Sequence, residues 1–123
     1  MTARAGERTE EDRGVGTPSS LHMLDSLEPG GAQNVALDLA DWLVHNGAPV
    51  TIAGPRGPLV DRLPRGVGFA ELPGGAAAPV RLARLVARHH PAVLHAHQRR
   101  QALDAGLVGR VLRVPVVEHA HSV

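Results

Sequence analysis

Cysteine, lysine and tyrosine are absent from this sequence of 123 residues, and phenylalanine and tryptophan occur once each. Without cysteine there are no disulfides and no thiolate metal ligands, which fits a reducing compartment. With so few aromatic rings, the chain lacks the stacking platforms that hold single-stranded nucleic acids. Nor is positive charge in strong excess. Thirteen arginines face 12 acids for a net charge of +1, so nucleic acid is not an expected partner. No apolar run approaches the ~20 residues of a membrane-spanning helix. The first twenty residues are polar and lack the apolar stretch of a signal peptide. The expected location is the cytoplasm, at most at the inner face of the membrane.

What is present is a hydrophobic content of 43%, enough for one packed domain. Met1 to Ser20 is polar and charged without an apolar period, and is expected to be a disordered tail. From residue 21 to 123 the pattern alternates. Leu21 to Ser26 reads as a strand, followed by a Pro29-Gly30-Gly31 turn and an amphipathic helix from Ala32 to His45. Its apolar face is expected to hold Ala32, Val35, Ala36, Leu39, Trp42 and Leu43, with Trp42 in the core, and Asn46-Gly47 closes it. Further strands are expected over Pro49 to Ala53, Val67 to Leu72, Ala92 to Ala96 and from Pro115 to Glu118. Helices are expected over Val80 to His90 and Arg99 to Leu112, with a helical turn at Leu59 to Leu63. Strands alternating with helices imply an α/β fold, a Rossmann-like doubly wound parallel sheet with strand order 3-2-1-4-5.

Ligands of such sheets bind beyond the carboxyl ends of the strands. The first strand delivers Gly30 and Gly31 there, at a helix start whose free N–H groups suit phosphate. Glycine is expected in that turn to supply a positive φ and to let a ligand approach the backbone. The fourth strand delivers His95-Ala96-His97-Gln98 and the fifth Glu118-His119-Ala120-His121-Ser122. Residues i and i+2 share a face, so His95 pairs with His97 and His119 with His121. Twice His-x-His could ligate zinc, donate hydrogen bonds to sugar hydroxyls and phosphate oxygens, or simply cap and fill strand ends. With no carboxylate set beside these histidines, no metal site is expected.

The ordered set of motifs carries a family resemblance. Leu24-Asp25-Ser26-Leu27-Glu28-Pro29-Gly30-Gly31-Ala32-Gln33 resembles the first loop of family 4 glycosyltransferases of the GT-B fold. Val93-Leu94-His95-Ala96-His97 is similar to their fourth-strand segment. Val114 to Ser122 resembles their fifth-strand ending, with His119 standing where threonine is common. The resemblance implies retaining transfer of a sugar from a nucleotide-sugar donor to an acceptor, with no resident cofactor. By position it makes His121 the catalytic residue beside the transferred sugar. It makes Gly30, Gly31 and His97 substrate-binding, and Gln33, His119 and Arg99 are further substrate-binding candidates at the same edge. It also implies that this chain is one incomplete half of a GT-B architecture, the acceptor-side N-terminal domain. The C-terminal domain with the nucleotide pocket is missing, so the isolated chain should be inactive. Two alternatives stand beside it: a non-catalytic binding remnant of the fold, and a metal-dependent hydrolase using the His-x-His pairs.

Three lesser features complete the reading. Arg81, Arg84 and Arg88 share one helix face, which reads as a solvated surface, with a peripheral contact to anionic lipid as its alternative. Arg99 and Arg100 oppose the helix dipole at a helix start, which favours a ligand role for them. The Pro/Gly/Arg-rich loop from Gly54 to Gly66 lies at the ligand edge and is expected to shape acceptor choice.

Overall fold

A computed structural model describes residues 19–119. Five strands, β1 (Ser20–Met23), β2 (Val50–Gly54), β3 (Gly68–Glu71), β4 (Val93–Ala96) and β5 (Val116–Glu118), form one parallel sheet in the order β3-β2-β1-β4-β5. Helices α1 (Gly31–His45), α2 (Ala78–His89) and α3 (Arg99–Leu112) make the crossovers, with a 3-10 turn at Pro58–Arg62 before β3. The expected doubly wound topology and strand order are those observed.

The sheet is short-stranded because the two loop systems at its carboxyl edge diverge early. Leu24 N still donates to Ala53 O at 2.9 Å, but Asp25 N turns away to the Gln98 side chain at 3.1 Å. Residues 24–26, expected to continue the strand, therefore leave the ladder. At the other end Ser20 N donates to Pro49 O at 3.0 Å, which brings Ser20 into β1 and out of the expected tail.

Each sheet face carries its own core. Leu21, Met23, Leu94 and Ala96 point toward α2 and α3, where they meet Leu82, Val86, Ala105 and Val108. Ile52 and Val50 point the other way, toward Ala36 and Ala40 of α1 and toward Leu24, Leu27 and Leu59 of the loops. Fully burying one such Leu or Ile contributes about 1.5–3 kcal/mol relative to exposure.

Helix α1 turns part of its expected face inward, Ala36 and Leu43, but not Val35 or Trp42. The buried positions are Gln33, Ala36 and Ala40, flanked by Leu37, Leu43 and Val44, while Trp42 is 61% exposed and Val35 is also exposed. The small side chains of Ala36 and Ala40 at the contact line let the helix lie close on β2. An indole at that seam would hold the helix away. Trp42 is thus a surface residue, and the large apolar residues that suggested the face are partly its flank. Asn46 and Gly47, the latter at φ 84°, end the helix as expected. Helices α2 and α3 end on His90 and Arg113 in left-handed conformation, at φ 49° and 60°.

Candidate functional site at the switch point of the sheet

The chain leaves β1 toward β2 on one side, and later returns to place β4 on the other. The loops after β1 and β4 consequently part from one another, and the crevice between them is where doubly wound sheets bind ligands. On the β1 side, Leu24 and Leu27 are buried anchors, while Asp25 and Glu28 face solvent. Leu27 O accepts from Leu59 N at 2.9 Å, so the Gly54–Gly66 loop is tied to this one.

Gly30 precedes α1 in extended conformation, φ −178° and ψ 172°, and Gly31 is not among the glycines with positive φ. The expectation that this turn needs glycine for a left-handed backbone is therefore corrected. Space is the reason that remains, and it differs between the two. A Cβ on Gly30 would sit 2.6 Å from Gln33 Oε1, whereas one on Gly31 would meet nothing within 4 Å. Gly30 makes room for Gln33, which folds back over the loop. Its Nε2 donates to Ser26 O at 3.2 Å, to Ser26 Oγ at 3.1 Å and to Asp25 Oδ1 at 3.5 Å. Gln33 is thus buried as a strut of the loop, its amide nitrogen spent on Ser26 and Asp25. Gly31 stands exposed at the open side. No side chain caps α1 and no acid lies in its first turn. Its leading N–H groups, which have no acceptor within the helix, face outward with the positive end of the dipole.

Across the crevice His97 N donates to Met23 O at 3.2 Å, and Gln98 begins the approach to α3. Gln98 Oε1 accepts from Asp25 N and so binds the two loops together. Helix α3, which starts at Arg99, is also without a side-chain cap. Two uncapped helix starts therefore open on the same edge. On the α2–α3 side of that edge lies a cavity of about 340 Å³ bordered by Asp25, Leu72, Gly74, Arg100, Gln101 and Asp104. Gln101 Oε1 is buried there without a hydrogen-bond partner among the described residues. Sequence reasoning did not single out Gln101 or Asp104. Their signal is position alone, the third and sixth residues of a helix that starts at the ligand edge.

The histidines assemble on the opposite face of the sheet, and they include one that the motifs did not reveal. His22 of β1 stands in register with His95 of β4, and the two rings stack at 4.1 Å and 6°. His97 and His119 stack in the same way, at 4.2 Å and 8°. His22 Nδ1 and His97 Nε2 share a hydrogen bond of 3.0 Å, and His95 Nδ1 and His119 Nε2 one of 2.8 Å. Ser20 Oγ completes the first chain, 2.9 Å from His22 Nε2. Each N···N bond needs one N–H and one lone pair, so at least one imidazole of each bonded pair is neutral. Burial, then the neighbouring His95, His97 and His119, hold the His22 pKa down at about 2. Burial and His119 hold that of His95 at about 4. The expected pairing of His95 with His97 on one face holds, and His119 joins them. His121 lies outside the described residues, so its pairing with His119 is not described. In each face-to-face stack the ring nitrogens point aside and bond a ring of the other stack, His22 with His97 and His95 with His119. Among the described residues no three His, Cys, Asp or Glu side chains are disposed to hold a metal ion.

The fold recurs in solved structures. A glycosyltransferase from Rickettsia africae ESF-5 superposes with a TM-score of 0.77 at 17% identity, over 89% of this chain and 31% of that one. Alr3699/HepE from Anabaena, in complex with UDP and glucose, gives 0.64 at 17% identity, over 85% and 30%. A universal stress protein family member from Burkholderia pseudomallei gives 0.52 at 19% identity, over 85% and 96%. At such identities the likeness is one of fold. The chain spans about 30% of the length of the glycosyltransferase structures it matches. No curated protein matches its sequence. The sequence model described as Glycosyltransferase Family 4 matches residues 29–123, from the Gly-Gly turn through the last histidine motif. Sequence match and Rossmann-like GT-B fold agree, and the chain belongs to Glycosyltransferase Family 4.

Proposed function

We propose that this chain supplies the acceptor side of a retaining glycosyltransferase that moves a sugar from a nucleotide-sugar donor to an acceptor. The observation that carries the reading is the β1/β4 crevice. Two uncapped helix starts there offer N–H groups to a diphosphate, and a largely apolar cavity with a few polar side chains on its rim, Asp25, Arg100, Gln101 and Asp104, opens beside them. Gly31 leaves the approach to α1 clear, and Gln33 and Gln98 brace the loops that frame it. Asp25, Gln101 and Asp104 present acceptor atoms to hydroxyl groups in the cavity, and Arg100 a cation. Of the candidate residues named from the sequence, Gly30 and Gln33 act through the shape of the loop, and Gly31 borders the ligand. His97 and His119 fix the strand ends beneath this edge, through backbone bonds to Met23 O and Ala96 O. Arg99 opens α3, and His121 remains the candidate beside the transferred sugar. UDP bound to the Anabaena protein supports a nucleotide-sugar donor.

One half of a cleft contributes few of the contacts that preorganise a transition state, so this chain alone should transfer no sugar. Two measurements test the reading. Pyrophosphate or UDP titrated into 15N-labelled protein should move the amide signals of Gly31, Ala32 and the start of α3. Shifts confined to other surfaces would refute the crevice as the ligand edge. Incubation with a panel of nucleotide sugars and acceptors should give no product. Turnover abolished by His121→Ala would refute the dependence on a second domain.

A further inference from the structure

The cavity beside the two helix starts combines two kinds of wall. Met23, Leu24, Leu72 and Ala78 line it and are all buried, which makes its inner surface aliphatic. Polar side chains come from two directions, Asp25 from the loop after β1, and Arg100, Gln101 and Asp104 from the first two turns of α3. At about 340 Å³ the cavity lies at the small end of the roughly 300–1,000 Å³ spanned by ligand pockets.

These walls offer mainly acceptor atoms. Two carboxylates and a carboxamide carbonyl stand against one guanidinium. Gln101 Oε1 is buried with no hydrogen-bond partner among the described residues. A buried acceptor left unpaired costs stability, and an aliphatic side chain of similar size would remove that cost. The fold gains nothing from a carboxamide oxygen in that place. A ligand hydroxyl group would supply the missing donor once the carboxamide turns into the cavity.

The same walls narrow the occupant. With two carboxylates to one guanidinium, they repel a phosphate or carboxylate group. Neither Phe69 nor Trp42, the one phenylalanine and the one tryptophan, borders the cavity, so a nucleobase finds no ring there to stack on. An acyl chain would strip water from four polar side chains and give them no partner. A sugar ring meets both kinds of wall, with C–H groups for the aliphatic surface and hydroxyl donors for the oxygens.

We propose that this cavity takes an uncharged sugar ring, so that the acceptor of the transfer ends in a neutral polyhydroxylated group and not in a phosphate or carboxylate. Its role as acceptor rests on the glycosyl-transfer reading above, and its chemistry on the cavity alone. Asp25 and Asp104 accept from ring hydroxyls, Gln101 Oε1 gains its donor, and Arg100 donates to a ring or hydroxyl oxygen.

The test is titration of the 15N-labelled full chain with the methyl glycosides of glucose, galactose and mannose, and with the 6-phosphates of the same sugars. At least one glycoside should move the amide signals of Leu72, Gly74, Gln101 and Asp104 to saturation. The 6-phosphates should saturate those signals about tenfold less readily, and act on Gly31 and Ala32 instead. Gln101→Leu should melt no lower than wild type, yet bind the glycoside on the order of tenfold more weakly. Asp104→Asn should weaken binding to a similar extent, with an unchanged circular dichroism spectrum. The proposal is overturned if no glycoside moves these signals, if the 6-phosphates bind the cavity as readily, or if both variants bind like wild type. A destabilised Gln101→Leu chain overturns it too, since the carboxamide would then serve the fold. Pyrophosphate separates the two readings. Its shifts at Gly31 without any glycoside response at Gln101 sink the sugar cavity alone, and the converse sinks the diphosphate edge alone.

Discussion

Stability should fall as the solution is acidified through the range where free imidazole titrates, because the stacked histidines resist protonation in the fold. The sign follows from the shifts. His22 and His95 have folded-state pKa values of about 2 and about 4, below the ordinary 6.5. The unfolded chain therefore takes up protons first. Stability is full above about pH 6.5 and declines as pH falls, until about pH 4 for His95 and about pH 2 for His22. Each histidine contributes a slope of about 1.4 kcal/mol per pH unit inside its window. At about pH 5.5 the two together remove roughly 3 kcal/mol, a large share of the 5–15 kcal/mol typical of a domain. Urea unfolding should be followed by far-ultraviolet circular dichroism, since Trp42 is exposed and its fluorescence is a poor reporter. The double variant His22→Asn/His95→Asn is the control. It starts less stable, having lost bonds to Ser20, His97 and His119, yet its decline with acid should be clearly shallower than that of the wild type. A wild-type midpoint that stays level between about pH 7.5 and 5.5, or equal slopes in wild type and variant, would refute His22 and His95 held neutral in the fold.

Three further outcomes are expected. Gly31→Val should melt within a few degrees of wild type, since its Cβ meets nothing, but should weaken the pyrophosphate-induced shifts at the start of α1. Gly30→Val should instead lower stability by about 1–2 kcal/mol, measured by urea unfolding, by driving the Gln33 side chain off Ser26. Leu82→Ala, at a position with no exposure in the α2–α3 core, should cost about 2–5 kcal/mol by the same measurement, against less than about 1 kcal/mol for Trp42→Ala.

The order of the sheet was legible because each helix is punctuated: Gly47 after the first, Pro91 after the second, Pro115 before the last strand. The face of α1 was not, because residue size misled. Trp42 and Val35 are the apolar residues that draw the eye, yet the contact with β2 selects Ala36 and Ala40 for closeness. The His95–His97 pairing could be read from the two-residue period of a strand. His22 escaped notice because it lies outside every motif, although the alternation Ser20-Leu21-His22-Met23 already assigns it a face, and parallel pairing with β4 then sets it against His95. At the Gly-Gly turn the sequence could locate the glycines but not their φ, so conformational freedom was inferred where steric clearance is the reason.

The central place of β1 also bears on how the chain folds as it is synthesised. Ser20 pairs with Val50 on one side and Val93 on the other, so β1 acquires its second neighbour only after β2, β3 and α2 have been made. Until then one edge of β1 is open, and Leu21 and Met23 lack the Leu94 and Ala96 beside which they finally pack. Such long-range closure slows folding and leaves an adhesive intermediate on the ribosome. Protease pulses on arrested nascent chains should find residues 20–54 protected only once β4 has left the exit tunnel.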